Sequence, residues 1–343
     1  MSEKSTTNSA GVYTLNLARL YMASMSNLAS LYRVQGRYGE AESLFKQALQ
    51  LREKVLGKDD LESLSSINNL AELYYMQGRY SEVEPLFKQV LQLRKKILGT
   101  KHPDTLVSMN NLANLYLSQD RNDEAEPFFK QVLQLRKKVL GIKHPNTLNS
   151  MNNLASFYHS QGRNDEAEPF FKQVLQLRKK VLGKEHPATL LSMNNLAVLY
   201  ESQGRSGDAK MLYEQVIQFS EKVLGKEHPR TLDTQINYIN FLISTNYPSI
   251  ALHLLQDQEK HFLSRSFKEF YTSSSEKVRL LYLQSISNFQ DITLSLANQQ
   301  PEEEYQQYAA DVILRWKQIY TEERNVQYRL LTLSNDTETG YSI

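Results

Sequence analysis

Six asparagines, Asn27, Asn69, Asn111, Asn153, Asn195 and Asn237, stand 42 residues apart, and four of them close an Asn-Asn pair: Asn68-Asn69, Asn110-Asn111, Asn152-Asn153 and Asn194-Asn195. A side-chain amide carries two N–H donors and one acceptor, so it can engage the N–H and C=O of an extended polypeptide backbone together. That is recognition chemistry, not bond-breaking chemistry. The chain has no cysteine, which excludes disulfides, thiolate zinc sites and a cysteine nucleophile. No phosphate loop, Gly-rich dinucleotide turn or nucleophile elbow occurs, so no catalytic residue and no cofactor is assigned. His102, His144, His186 and His228 recur once per period, each before a proline. No two have the close spacing of a metal motif and no carboxylate cluster recurs beside them all. A loop role is expected for them, and no metal.

The elements that position the amides follow from the period. Around them the text is nearly constant: SINNLAELYYMQGRY, SMNNLANLYLSQDRN, SMNNLASFYHSQGRN, SMNNLAVLYESQGRS. A repeat of this size predicts a stacked solenoid in which each unit buries its apolar face against its neighbours. In the third unit Leu106, Met109, Leu112, Ala113 and Tyr116 fall at helical spacing, and after a turn so do Ala125, Phe128, Phe129, Val132, Leu133, Val139 and Leu140. Each unit therefore reads as an antiparallel helix pair. Gly36, Gly78, Gly162 and Gly204 mark the turn, with Asp120 and Asn246 in the other two units, as a left-handed residue requires. Gly57, Gly99, Gly141, Gly183 and Gly225 suit the residue just past a helix end, and Pro103, Pro145, Pro187 and Pro229 the first turn of the next. Small residues, Ala29, Ala71, Ala113, Ala155 and Ala197 in the first helix and Ala41, Val83, Ala125, Ala167, Ala209 and Ala251 in the second, mark close crossings.

This pattern resembles the tetratricopeptide repeat, and its 42-residue period with LG-x-x-HP-x-TL and NNLA-x-LY-x-x-QGR-x-x-EAE is similar to the kinesin light chain type. The resemblance spans roughly residues 24 to 245, with a degenerate sixth unit where Tyr238 and Ile239 replace Leu-Ala. It implies an all-α chain, an α–α superhelix with a C-terminal helical cap. The expected organisation is a disordered N-terminus at 1–10, six helix pairs at 11–263, a helical cap or connector at 264–333 and a flexible tail at 334–343. Residues 274–299 and 309–319 also resemble the connector that joins such repeats to a caspase-like CHAT domain in bacterial proteins. That domain's His and Cys lie beyond the connector, and this chain stops at Ile343 without a cysteine.

In the tetratricopeptide family the second Asn of each pair faces the concave groove and holds ligand backbone. The resemblance carries this to Asn69, Asn111, Asn153 and Asn195, with Asn27 in the first unit. A stacking role is expected for the first Asn, and for the second a bond to the neighbouring helix stays open as the alternative. Helices stack at about 10 Å and a strand advances ~3.3 Å per residue, so one amide per repeat meets an extended ligand about every third residue. Selectivity then falls to positions that vary. Three residues after the ladder Asn come Ser30, Glu72, Asn114, Ser156 and Val198. Six after come Arg33, Tyr75, Leu117, His159 and Glu201; seven after come Val34, Met76, Ser118, Ser160 and Ser202. Tyr75, Met76, Asn114, Leu117, His159 and Glu201 are the candidate side-chain readers. Only Arg33 is cationic, which argues against a clamp for a terminal carboxylate and against an acidic cargo peptide.

Formal net charge is +2, from 40 basic and 38 acidic side chains, too balanced a field to argue for nucleic acid or an anionic membrane. The basic triplets Arg94-Lys95-Lys96, Arg136-Lys137-Lys138 and Arg178-Lys179-Lys180 end helices that open with glutamates. Acid first and base last complements the helix dipole, so a solvated face is expected. Trp316 with Tyr305, Tyr308 and Tyr320 reads as cap packing. The polar start MSEKSTTNSAG lacks a signal-peptide core, and no run approaches the ~20 apolar residues of a membrane span. The expectation is a cytoplasmic, non-enzymatic scaffold that holds a partner peptide or helix in its groove. The alternatives are the regulatory half of a caspase-like protease and, further off, an RNA-binding helical repeat.

Overall fold

The repeat dictates alternating helices, and the computed structural model has them throughout residues 3–226, 228–259, 291–300 and 302–315, the residues described, with backbone only at 3–14, 229, 230 and 233. In chain order they are α1 (Glu3–Val34), α2 (Tyr38–Leu56), α3 (Leu61–Met76), α4 (Tyr80–Leu98), α5 (Pro103–Ser118), α6 (Asn122–Leu140), α7 (Pro145–Ser160), α8 (Asn164–Leu182), α9 (Pro187–Ser202), α10 (Ser206–Leu224) and α11 (Pro229–Ser244). Helices α12 (248–259), α13 (291–299) and α14 (303–315) follow. The chain is all-α, built of the tandem helix pairs expected of this class of solenoid. It divides into two compact units, Met1–Leu199 and Tyr200–Ile343.

In the first unit each helix packs on the next in order, α1 on α2 through to α7 on α8. Local chemistry sets the ends. Gly36, Gly78 and Gly162 sit at positive φ between first and second helices, and Asp120 takes φ 57° in the same place. Gly57, Gly99, Gly141 and Gly183 end the second helices, again at positive φ. The histidines do more than fill loops. The N–H groups of Asp104, Asn146 and Ala188 donate to Nδ1 of His102, His144 and His186 at 3.1–3.2 Å. Asp60 stands one period earlier and caps α3 likewise, accepting from the Glu62 N–H at 2.8 Å. An acceptor at this position satisfies an N–H that the helix leaves without a partner.

The small residues at the crossings, from Ala29 and Ala41 to Ala197, are fully buried, as are the first-helix stripe Leu106, Met109, Leu112 and Tyr116 and, on α6, Phe129, Val132 and Leu133. Val139, expected in that stripe, is exposed. Val139 lies in the last turn of α6, which is 19 residues long against 16 in α5 and α7. Helix α1 runs back to Glu3 in one piece, so the helix begins inside the segment 1–10 expected to lack structure.

The basic triplets divide. Their lysines lie at the surface, but Arg94, Arg136 and Arg178, with Arg52 a period earlier, are only 4–8% exposed. This corrects the expectation of a wholly solvated face. Each guanidinium reaches a serine on the next first helix: Arg94 to Ser108 Oγ at 2.9 Å, Arg136 to Ser150 Oγ at 2.8 Å and Arg178 to Ser192 Oγ at 2.7 Å. Each also donates to the carbonyl of Asp104, Asn146 or Ala188. Burial lowers all three pKa values from the usual arginine range. Buried charges need hydrogen bonds of this kind, and here neutral acceptors supply them.

In the second unit the rings of Tyr213, Tyr238 and Phe241 pack at 5.5–6.1 Å, and Ile239 is fully buried at the position held elsewhere by alanine. Tyr305 and Tyr308 are buried. Tyr308 Oη donates to Glu259, which also pairs with Arg315 at 3.0 Å. Trp316 and Tyr320, and most of the CHAT-connector resemblance, fall outside the described residues.

Candidate protein-interaction face

The amides form a relay between successive first helices. Asn111 Nδ2 donates to Asn68 Oδ1 at 3.2 Å, Asn153 Nδ2 to Asn110 Oδ1 at 3.0 Å, and Asn195 Nδ2 to Asn152 Oδ1 at 2.9 Å. In Asn111, Asn153 and Asn195 the second Asn of a pair therefore holds the first Asn of the preceding pair. The alternative of a bond to the neighbouring helix is what the geometry shows: one N–H of Asn111 and of Asn153, both half-buried, goes to the preceding first helix, and among the described residues the other N–H and the Oδ1 make no hydrogen bond. Asn69 has no amide to donate to, because Ser26 occupies the position of the first Asn in α1. Asn68 is itself buried and donates to Glu72 Oε1 at 2.7 Å.

Around the ladder the face is uncharged or internally neutralised. Arg33 gives Nη1–H to Glu72 Oε2 at 3.1 Å across the first two pairs. Asn114 and Leu117 are half-buried and Met76 is exposed. The Tyr75 ring lies 5.6 Å from that of Tyr80. His159 Nδ1 is 2.9 Å from Asn164 Oδ1. Glu201, in the second unit, is less of a surface reader than its position suggests. Tyr213 Oη donates to it at 2.9 Å, and burial pushes its carboxyl above the usual range. Asn27 lies exposed on α1.

Four residues one turn before the ladder escaped sequence reasoning: Ser65, Val107, Asn149 and Leu191, all exposed on the ladder side of their helices. Their spacing of four residues from each ladder Asn is the signal that identifies them. Asn149 Oδ1 accepts from Arg178 at 2.7 Å, so the buried arginine column reaches this face.

At the turns Arg79, Arg121 and Arg163 each rest on a first-helix tyrosine and bridge two repeats. The guanidinium carbons of Arg79, Arg121 and Arg163 lie 3.9–4.4 Å from the ring centroids of Tyr74, Tyr116 and Tyr158. These arginines bind Glu42, Glu84 and Glu126 of the preceding pair at 2.7–2.8 Å. The carboxyls of Glu84 and Glu126 are pulled down to about 2, chiefly by hydrogen bonds from Arg121 and Arg163. Among the described residues no group of three His, Asp or Glu side chains could hold a metal ion.

The tetratricopeptide repeat family model matches residues 20–96, 84–138, 104–178 and 146–222, one continuous run through more than half of the chain. The chain belongs to the tetratricopeptide repeat family. Its array is similar to the crystal structure of a putative kinesin light chain from Podosopora anserina with nearly identical TPR-like repeats. Identity is 33% over 60% of this chain and 96% of that one, with a TM-score of 0.52. BtubC (BKLC) from P. vanneervenii is 20% identical over 67% of this chain and 95% of its own, with a TM-score of 0.53. The apo form of RapI is 13% identical over 87% and 99%, with a TM-score of 0.55. The last two are likenesses of fold alone. No curated protein matches the chain in sequence. No helix among the described residues of this tetratricopeptide repeat protein is long and apolar enough to cross a membrane.

Proposed function

We propose that this tetratricopeptide repeat protein is a non-catalytic interaction scaffold that holds a partner polypeptide along the ladder face of its first unit. The observation that carries this reading is the pair of fixed amides on α5 and α7. Asn111 and Asn153 are each oriented by one bond to the preceding repeat, with an N–H and an Oδ1 left over. A pre-oriented donor and acceptor loses little freedom when it binds. An extended segment offers backbone N–H and C=O groups at intervals that match the repeat spacing. Each bond contributes only about 0.5–1.5 kcal/mol net, so discrimination falls to Met76, Val107, Asn114, Leu117 and Leu191 beside the ladder. These positions are neutral and partly apolar, which favours an uncharged segment over an acidic one. A protein or peptide partner is accordingly the expected ligand, with nucleic acid and membrane surfaces disfavoured, and a cytoplasmic setting suits that role.

The test is capture of a partner from native lysate, repeated with Asn69→Ala and with Asn111→Ala/Asn153→Ala, followed by affinity measurement on the purified pair. Loss of capture in both variants, with the helical spectrum kept, is expected. Equal affinity for wild type and both variants overturns the assignment.

A further inference from the structure

Helix α1 exposes an apolar face that its sister helices bury. Leu28 and Leu31 are exposed, whereas their counterparts Leu70 and Leu73, Leu112 and Leu115, Leu154 and Phe157 are buried against the preceding pair. The face extends toward the N-terminus through Leu17 (69% exposed), Leu20 (67%) and Tyr21 (60%). At ~100° per residue, positions 17, 20, 21, 24, 27, 28 and 31 fall within one sector about 120° wide. All seven are exposed and none is charged.

The order of residues on this face says what covers it. About Ser24 the pattern is symmetric: Leu20 and Leu28 lie four residues to either side, and Leu17 and Leu31 seven to either side. A second α1 laid antiparallel about a two-fold axis at Ser24 sets Leu17 against the copy's Leu31 and Leu20 against its Leu28. Tyr21 then meets the copy's Asn27, a phenol against an amide. The centre holds a small side chain whose hydroxyl is already satisfied, since Ser24 Oγ donates to the Leu20 carbonyl at 2.9 Å. Two helices can therefore approach closely there with no polar group left unpaired. A self-complementary patch of this kind closes on itself as an isologous pair instead of propagating into a filament. We propose that α1 is a homodimerisation helix and that a second copy of this chain occupies its face.

Sedimentation velocity on the full chain is expected to give a species of twice 39.7 kDa. Leu20→Glu with Leu31→Glu is expected to weaken it at least about 30-fold, the loss that follows removal of central apolar anchors. Because the chain has no cysteine, Ser24→Cys introduces one thiol beside the axis, within the reach a disulfide needs. Mild oxidation then gives a covalent dimer, while Asp123→Cys, on α6, does not. The proposal fails if the wild type is monomeric at micromolar concentration, if the dimer survives the double glutamate change, or if Ser24→Cys cross-links no faster than Asp123→Cys. Should the glutamate variant not fold, the cross-linking comparison alone decides.

Discussion

Asn153 gives its Nδ2–H to Asn110 Oδ1 at 3.0 Å, tying the second amide of one repeat's pair to the first amide of the pair before it. Asn69 has no such bond, since Ser26 replaces the amide it would meet. The two positions therefore separate stacking from binding. Asn153→Ala is expected to lower unfolding free energy by about 0.5–1.5 kcal/mol, and Asn69→Ala to leave it unchanged, as read by urea denaturation. Both weaken partner capture. Equal destabilisation by the two changes argues against the relay.

Arg136 offers a second test, because its guanidinium is buried with only neutral acceptors, Ser150 Oγ and the Asn146 carbonyl. Ser150→Ala removes one of them while leaving the charge inside. A hydrogen bond to a charged group contributes about 1.5–3 kcal/mol, and a loss of that size is expected in chemical denaturation. A change within a few tenths of a kcal/mol shows that water reaches the guanidinium.

The turn edge predicts a pH dependence. Glu84 and Glu126 have folded pKa values of about 2 against an ordinary 4.5. A carboxylate depressed on folding stabilises fully above its unfolded pKa and loses that contribution as pH falls through the folded value. Stability is therefore expected to decline between about pH 4.5 and pH 2, by less than ~1 kcal/mol per pair at these partly exposed sites. Arg121→Met flattens the decline measured by denaturant midpoints at pH 7, 4.5 and 3. An unaltered slope in that variant assigns the acid sensitivity to other groups.

Asp120 occupies φ 57° where Gly36, Gly78 and Gly162 take 71–75°. An L side chain is disfavoured there, and Asp120→Gly is expected to raise the thermal midpoint, by up to about 1 kcal/mol of stability after the entropy cost of glycine. A lowered midpoint shows that the aspartate side chain supports the turn.

Most of the fold was legible because each signal is local and recurs. The turn residues needing positive φ, the prolines opening α5, α7, α9 and α11, and the alanines at the crossings each report a constraint within a few residues. The buried arginines were misread because Arg94-Lys95-Lys96 is a run of like charge. A sharper view would have followed Val83, Phe87, Val90 and Arg94 down one side of α4, and noted a serine fourteen residues beyond each arginine, as in Arg94 and Ser108 or Arg136 and Ser150. The pairing of Asn153 with Asn110 was beyond reach for another reason. It depends on how far one helix is displaced along the next, which no single repeat encodes. The reach of Tyr213 to Glu201 was hidden likewise, since the tyrosine arrives from the following helix.

Helices α6 and α8 carry the same nineteen residues, NDEAEPFFKQVLQLRKKVL, and their contacts reach only adjoining pairs. Excising residues 122–163 would splice Arg121 directly onto Asn164, set α8 after α5 and offer Asn195 the amide of Asn110 in place of Asn152, at the loss of the contacts that His159 and Asn149 make with Asn164 and Arg178. Recombination within the gene can therefore lengthen or shorten this protein by whole modules with few contacts changed at each join, so array length is free to drift or be selected while the architecture stays constant.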